Sequence, residues 1–100
     1  MKKWYTEDWA FTIDVLAVGK KDAPTECRMG LEPGDVFECT YDCPAGFCSK
    51  SILKVFPILE AVRSGGDLRN LGGSAPNQMR LLCPDGVVKY QVTAKQIGGA

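Results

Sequence analysis

The hydrophobic pattern predicts an α+β domain, a small antiparallel sheet of about four strands with one main kinked helix packed on one face. Two stretches of period two precede a single long stretch of helical period. Two more period-two stretches, joined by a Pro-Asp-Gly turn, follow it. At 100 residues the chain makes one domain, residues 1–100. A domain of that size hides roughly two-thirds of the surface its unfolded chain exposes.

The first strand runs from Trp9 to Val18. Trp9, Phe11, Ile13, Val15 and Ala17 fall on one face, with Thr12 and Asp14 on the other, because side chains alternate along a strand. Leu16 and Val18 interrupt the polar face, which predicts that it is partly covered. Ahead of the strand, residues 1–8 carry Trp4 and Tyr5. They either extend the strand or form an apolar arm that docks on a second subunit. Residues 19–34 read as a loop. Pro33-Gly34 suits the centre of a type II turn, where proline sets φ and glycine accepts a positive one. In the second strand Phe37, Cys39 and Tyr41 alternate with Val36, Glu38 and Thr40, so Cys39 faces the core.

A turn over residues 42–46 leads to the helix, which begins near Cys48 or Ser49. Ile52, Val55, Phe56, Leu59 and Val62 recur at helical spacing and form its apolar stripe. Ser49 is the expected cap. Pro57 removes one hydrogen bond and predicts a kink or a split into two helices. Gly65-Gly66 ends the helix, and residues 67–77 read as irregular. Met79, Leu81 and Cys83, then Val88, Tyr90 and Val92, form a hairpin around Pro84-Asp85-Gly86. Residues 95–100 read as a frayed tail. One sheet with one helix leaves a face and two edges open, which predicts a homo-oligomer.

Charge narrows the function classes. Lys plus Arg number 12 and Asp plus Glu number 12, with no basic run, so nothing directs the chain to nucleic acid or to an anionic membrane. Met1-Lys2-Lys3 has the positive start of a secretory signal without the apolar segment that follows one. A cytoplasmic location is the expectation, and thiols stay reduced there. The 5 cysteines cannot all pair within one chain, and histidine is absent.

The candidate chemistry is therefore thiol chemistry. Cys39 and Cys83 fall on inner strand faces, Cys48 stands at the mouth of the helix, and Cys43 is on the turn nearby. Three readings follow. Free cysteines pack as small hydrophobes. Alternatively, Cys39, Cys43, Cys48 and Cys83 hold a metal, zinc or an iron–sulfur cluster, since Cys39-x-x-x-Cys43 has knuckle-like spacing. In the third reading Cys48, at the positive end of a helix, is a nucleophile or acid/base group. Without histidine its partner must come from Asp85, Asp42, a lysine or a cofactor, and no Cys-x-x-Cys dithiol occurs. Residues 63–74 lack the strand context and the Gly-Lys-Ser/Thr ending of a phosphate loop. Arg63 and Arg69 remain candidates for an anionic ligand, against the simpler reading of a solvated loop.

Taken in order, Cys27-x-x-Gly30, Gly34-Asp35-x-Phe37, Gly46-Phe47-Cys48, Gly65-Gly66 and Cys83-Pro84-Asp85-Gly86 resemble a family of small uncharacterised prokaryotic proteins common in anaerobes. The likeness spans about residues 11–93, on its Gly-x-Cys and Cys-Pro-Asp motifs. It implies a small cytosolic domain accessory to anaerobic metabolism, and it singles out Cys27, Cys48, Cys83 and Asp85. The chain departs from the pattern at Leu31, where the family often has histidine, and at Asn70, where it often has tryptophan. No role for those side chains carries over.

The leading expectation is a thiol-lined pocket between helix start and hairpin, built on Cys48, Cys83 and Asp85, that binds a small ligand or metal; Cys27 joins the ligand-binding candidates through the resemblance. A thiol-dependent enzyme using Cys48 is the second. An interaction module docking on a larger enzyme through the aromatic arm and open sheet edge is the third.

Overall fold

Alternating apolar residues place the two longest strands at the centre of the sheet. The computed structural model describes residues 6–19 and 27–98. Its strands are β1 (Trp9–Val18), β2 (Val36–Cys39), β3 (Gln78–Leu82) and β4 (Val88–Gln96), with one helix, α1 (Ser49–Arg63), between β2 and β3. The sheet runs β2-β1-β4-β3, antiparallel throughout, which is the α+β architecture the periodicities predict. Phe11, Ile13 and Val15 of β1 lie beside Val88, Tyr90, Val92 and Ala94 of β4, all buried under the helix. Each large apolar side chain so buried contributes roughly 1.5–3 kcal/mol.

β1 departs from simple alternation near its end. The register against β4 shifts between Val15 and Ala17, so the strand bulges at Leu16. One extra residue reverses the faces beyond it. Ala17, expected inside, is exposed, while Val18 turns back to pack on the core opposite Val88. The bulge explains the apparent spoiling of the outer face. That face otherwise presents Thr12, Asp14, Arg80, Lys89, Gln91 and Thr93, and none of them is buried. A polar face needs no partner to cover it, so the oligomer expectation rests on the edges β2 and β3.

The helix also differs in detail. Ser51, Val55, Ile58, Leu59 and Val62 are its buried residues. Phe56, expected in the stripe, is exposed, and Ile58 takes that place. The buried face is centred on positions 51, 55, 58 and 62, which follow helical spacing as well as the predicted set does. Pro57 neither splits nor ends the helix, which runs unbroken through it. Leu53 and Pro57 are both exposed, so the carbonyl that loses its partner lies on the side open to water. At the C-terminus Gly65 N–H bonds Val62 O at 3.0 Å and Gly66 N–H bonds Ala61 O at 2.7 Å, with Gly65 at φ 83°. That pair of bonds is a Schellman motif.

Three further corrections concern the connections. Within the segment read as irregular, Leu68–Leu71 forms a 3-10 helix capped by Asp67. It buries Leu68 completely. Tyr41 lies beyond the end of β2 and is exposed. Lys95 and Gln96, expected to fray, belong to β4 opposite Ala10 and Trp9, and Ile97 N–H donates to Asp8 O at 2.8 Å. Trp4 and Tyr5 of the expected arm, and residues 99–100 of the expected tail, lie outside the described residues. The Pro33-Gly34 turn forms as predicted, with Asp35 N–H to Glu32 O at 3.1 Å and Gly34 at φ 96°.

Candidate functional site

Three local structures aim cysteines at one place. The β3–β4 hairpin turns at Cys83-Pro84-Asp85-Gly86, closed by Gly86 N–H to Cys83 O at 2.8 Å with Gly86 at φ 73°. Cys27-Arg28-Met29-Gly30 repeats that turn, with Gly30 N–H to Cys27 O at 2.8 Å and Gly30 at φ 73°. Each turn needs glycine where the chain enters the left-handed region. The third thiol comes from the helix start, where Cys48 occupies the N-cap position in place of the predicted Ser49.

The result is a cavity of about 410 Å³ lined by Cys27, Cys48, Cys83, Asp85, Ser51 and Tyr90 among others. Small-ligand sites begin at roughly 300 Å³. Lys50 Nζ meets Asp85 Oδ1 at 2.7 Å, both side chains being more than half exposed, so the ion pair sits at the solvent side. A pair so exposed contributes at most about 1 kcal/mol to stability, and its value here is in placing charge. Arg28 lines the same cavity and makes no ion pair or hydrogen bond among the described residues.

Each thiol has its own environment. Cys83 is buried, and its Sγ accepts from Val87 N–H and Val88 N–H, each at 3.3 Å. Cys48 is half-buried. Burial pushes its thiol up and the Asp85 charge adds to that. The Ser51 N–H and hydroxyl and the Lys50 N–H outweigh both, so its pKa is lowered. These donors lie beside Sγ without a formed cap bond, as befits a neutral thiol, which is a weak acceptor. A thiolate draws on them strongly, and that preference lowers the pKa. At the cavity floor Ser51 Oγ and Tyr90 Oη are 2.8 Å apart, and both residues are almost wholly buried. Burial first, then the charges of Cys48, Cys83 and Cys27, push the Tyr90 phenol up to about 12 against the Ser51 hydrogen bond, so it stays protonated at neutral pH.

The remaining predicted residues lie elsewhere. The four-cysteine metal site is not assembled, since among the described residues no group of three or more cysteine or carboxylate side chains could hold a metal ion. Cys39 is buried beside a separate cleft with Glu38, Asp42 and Lys95, and Cys43 is exposed. Burial, then Asp42, pushes the Cys39 thiol up, which makes it a poor ligand and a poor nucleophile. Neither zinc nor an iron–sulfur cluster finds its ligands gathered at Cys39, Cys43, Cys48 and Cys83.

Arg63 and Arg69, the expected anion ligands, are engaged within the chain and line no part of the thiol cavity. Arg63 packs its guanidinium 5.0 Å from the Phe11 ring centroid and 4.8 Å from that of Tyr41. It donates to Thr40 O and pairs with Glu60. Arg69 binds Asp67 through two nitrogens, which lowers the Asp67 carboxyl. Sequence reasoning missed Ser51, Tyr90 and Arg28. The one signal available was Ser51 itself, a hydroxyl at helical spacing from Val55.

Sheet, helix and cavity define a small α+β domain with a thiol-lined pocket. Comparison with protein-family models, curated proteins and solved structures finds no match to this chain. No helix among the described residues is long and apolar enough to cross a membrane.

Proposed function

We propose that this protein binds a small organic molecule in the thiol-lined cavity, with Cys48 as the group that engages it. The observation that carries the reading is the convergence of Cys27, Cys48 and Cys83, from three separate segments, on one cavity beside a helix N-terminus. Cys39 is the contrasting case within the same chain, since the separate cleft it borders is lined by no second cysteine among the described residues. Arg28, which pairs with no carboxylate among the described residues, and the helix N-terminus favour a ligand with a negative group. The resemblance to small proteins of anaerobes supports a role accessory to anaerobic metabolism, in a reducing cytoplasm that keeps the thiols free. A homo-oligomer joined along β2 or β3 is compatible with the open sheet edges.

A second reading, favoured by the lowered pKa of Cys48, is an enzyme in which that thiolate attacks the ligand. Asp85, held by Lys50 at the same cavity, is its charged neighbour. Peptide-resolved alkylation of the native protein with iodoacetamide at neutral pH tests both readings. Cys48 is expected to react faster than the exposed Cys43, despite being less accessible. A Cys48 rate at or below that of Cys43 would remove Cys48 from the site.

A further inference from the structure

Ser51 stands out among the helix's inward residues. It occupies a place in the apolar stripe, is only 1% exposed, and shares a side-chain hydrogen bond of 2.8 Å with Tyr90. A serine hydroxyl buried this way is costly unless satisfied, and alanine would fill the same place with no such demand. Ser51 and Tyr90 both line the cavity that Cys48 lines. Ser51 is the third helical residue after the Cys48 cap, the position whose backbone N–H is directed back at the cap side chain.

We propose that Ser51 and Tyr90 are positioning residues for Cys48, relaying a hydrogen bond from the sheet through the helix to its sulfur. The proposal rests on the reading of Cys48 as the group that engages the ligand. The direction of the relay follows from proton inventory. Tyr90 keeps its proton and donates it to Ser51 Oγ; Ser51 has one hydrogen, which is then left to point at Sγ. A donor chain of this polarity strengthens along its length when its end bears charge, so it favours the thiolate over the thiol.

Other charged and titratable groups also surround the sulfur. Lys50 on the helix, Asp85 and Cys83 on the hairpin, and Cys27 and Arg28 on the opposite turn line the same cavity. The test must therefore isolate the hydroxyls and leave those groups in place. Tyr90→Phe does so with the ring and its packing retained, and Ser51→Ala removes the middle of the relay.

The measurement is the pH profile of Cys48 alkylation by iodoacetamide in the full chain, resolved by peptide mass. The exposed Cys43 serves as internal reference, and the buried Cys39 reports on unfolding. Ser51→Ala is expected to raise the Cys48 inflection, lowering its thiolate fraction at neutral pH about tenfold, the effect of one pKa unit. Tyr90→Phe raises it by less, and the double variant goes no further than Ser51→Ala, because Tyr90 acts only through Ser51. Profiles unmoved in Tyr90→Phe, or shifts that add in the double variant, would overturn the relay. If Ser51→Ala fails to fold, Tyr90→Phe alone decides. A wild-type Cys48 that titrates like Cys43 would instead defeat the functional reading itself.

Discussion

Arg63 offers the sharpest contrast between a ligand-binding arginine and a structural one. Its side chain is 14% exposed, lies between Phe11 and Tyr41, and donates to the Thr40 carbonyl. Replacement by alanine removes a charged hydrogen bond, worth roughly 1.5–3 kcal/mol. It also removes two cation–π contacts of about 0.5–1 kcal/mol each. The half-exposed pair with Glu60 adds little after solvent screening. Set against these losses, Arg63 Nε is buried without a hydrogen-bond partner among the described residues, and deleting it relieves about 1–2 kcal/mol. The net cost is about 2 kcal/mol. In a domain of this size that lowers the melting temperature by roughly 8–16 °C. Arg63→Lys should recover little of it, because an ammonium keeps the charge but neither stacks between rings nor presents a planar fork. Thermal unfolding followed by circular dichroism measures both variants. A melting point within a degree or two of wild type for Arg63→Ala would refute the structural assignment and return Arg63 to the list of ligand contacts.

Three other outcomes follow from the packing and the buried phenol. Ile58→Ala should cost about 2–4 kcal/mol in urea unfolding while Phe56→Ala stays within about 0.5 kcal/mol, since only Ile58 faces the core. Equal costs would mean the helix is rotated from the position described. Gly66→Ala should destabilise by more than 1 kcal/mol, because a Cβ there would lie 2.6 Å from the Ala61 carbonyl oxygen, a backbone atom that cannot step aside. Tyr90, with its pKa raised by burial, contributes stability that is complete below pH 10 and lost as pH rises toward about 12. Tyr90→Phe should therefore flatten the alkaline limb of the stability profile, and an unchanged limb would contradict the raised value.

Most of the architecture was legible because periodicity alone specifies it. β1, β4 and the hairpin read directly from alternating residues, and α1 from its apolar spacing and its double-glycine stop. The misses have local physical causes. A single extra residue at Leu16 reverses two side chains without altering composition. Phe56 and Ile58 fit a helical stripe equally well, and only the sheet beneath chooses between them. The 3-10 helix is held by one aspartate cap and one buried leucine, too short for any period to register. The last residues of β4 are polar, so their pairing with β1 is visible only in three dimensions.

At the site the pattern was similar. Turn chemistry and helix start placed Cys48, Cys83 and Asp85 together in advance, and the Cys27 turn drew attention through its family resemblance. Ser51 and Tyr90 were not foreseen, because their partnership joins a helix face to a strand 39 residues away along the chain. The four cysteines of the metal reading are not gathered among the described residues, for a related reason. Spacing brought Cys39 and Cys43 into one motif, while the burial of Cys39 in the core separated it from the other thiols.

Native mass spectrometry of protein purified under anaerobic conditions tests the central claim most directly. The account predicts the mass of the chain plus a small organic adduct that dissociates on denaturation and is excluded when Cys48 has first been alkylated. A bare chain, or a metal adduct that survives alkylation of Cys48, would contradict it.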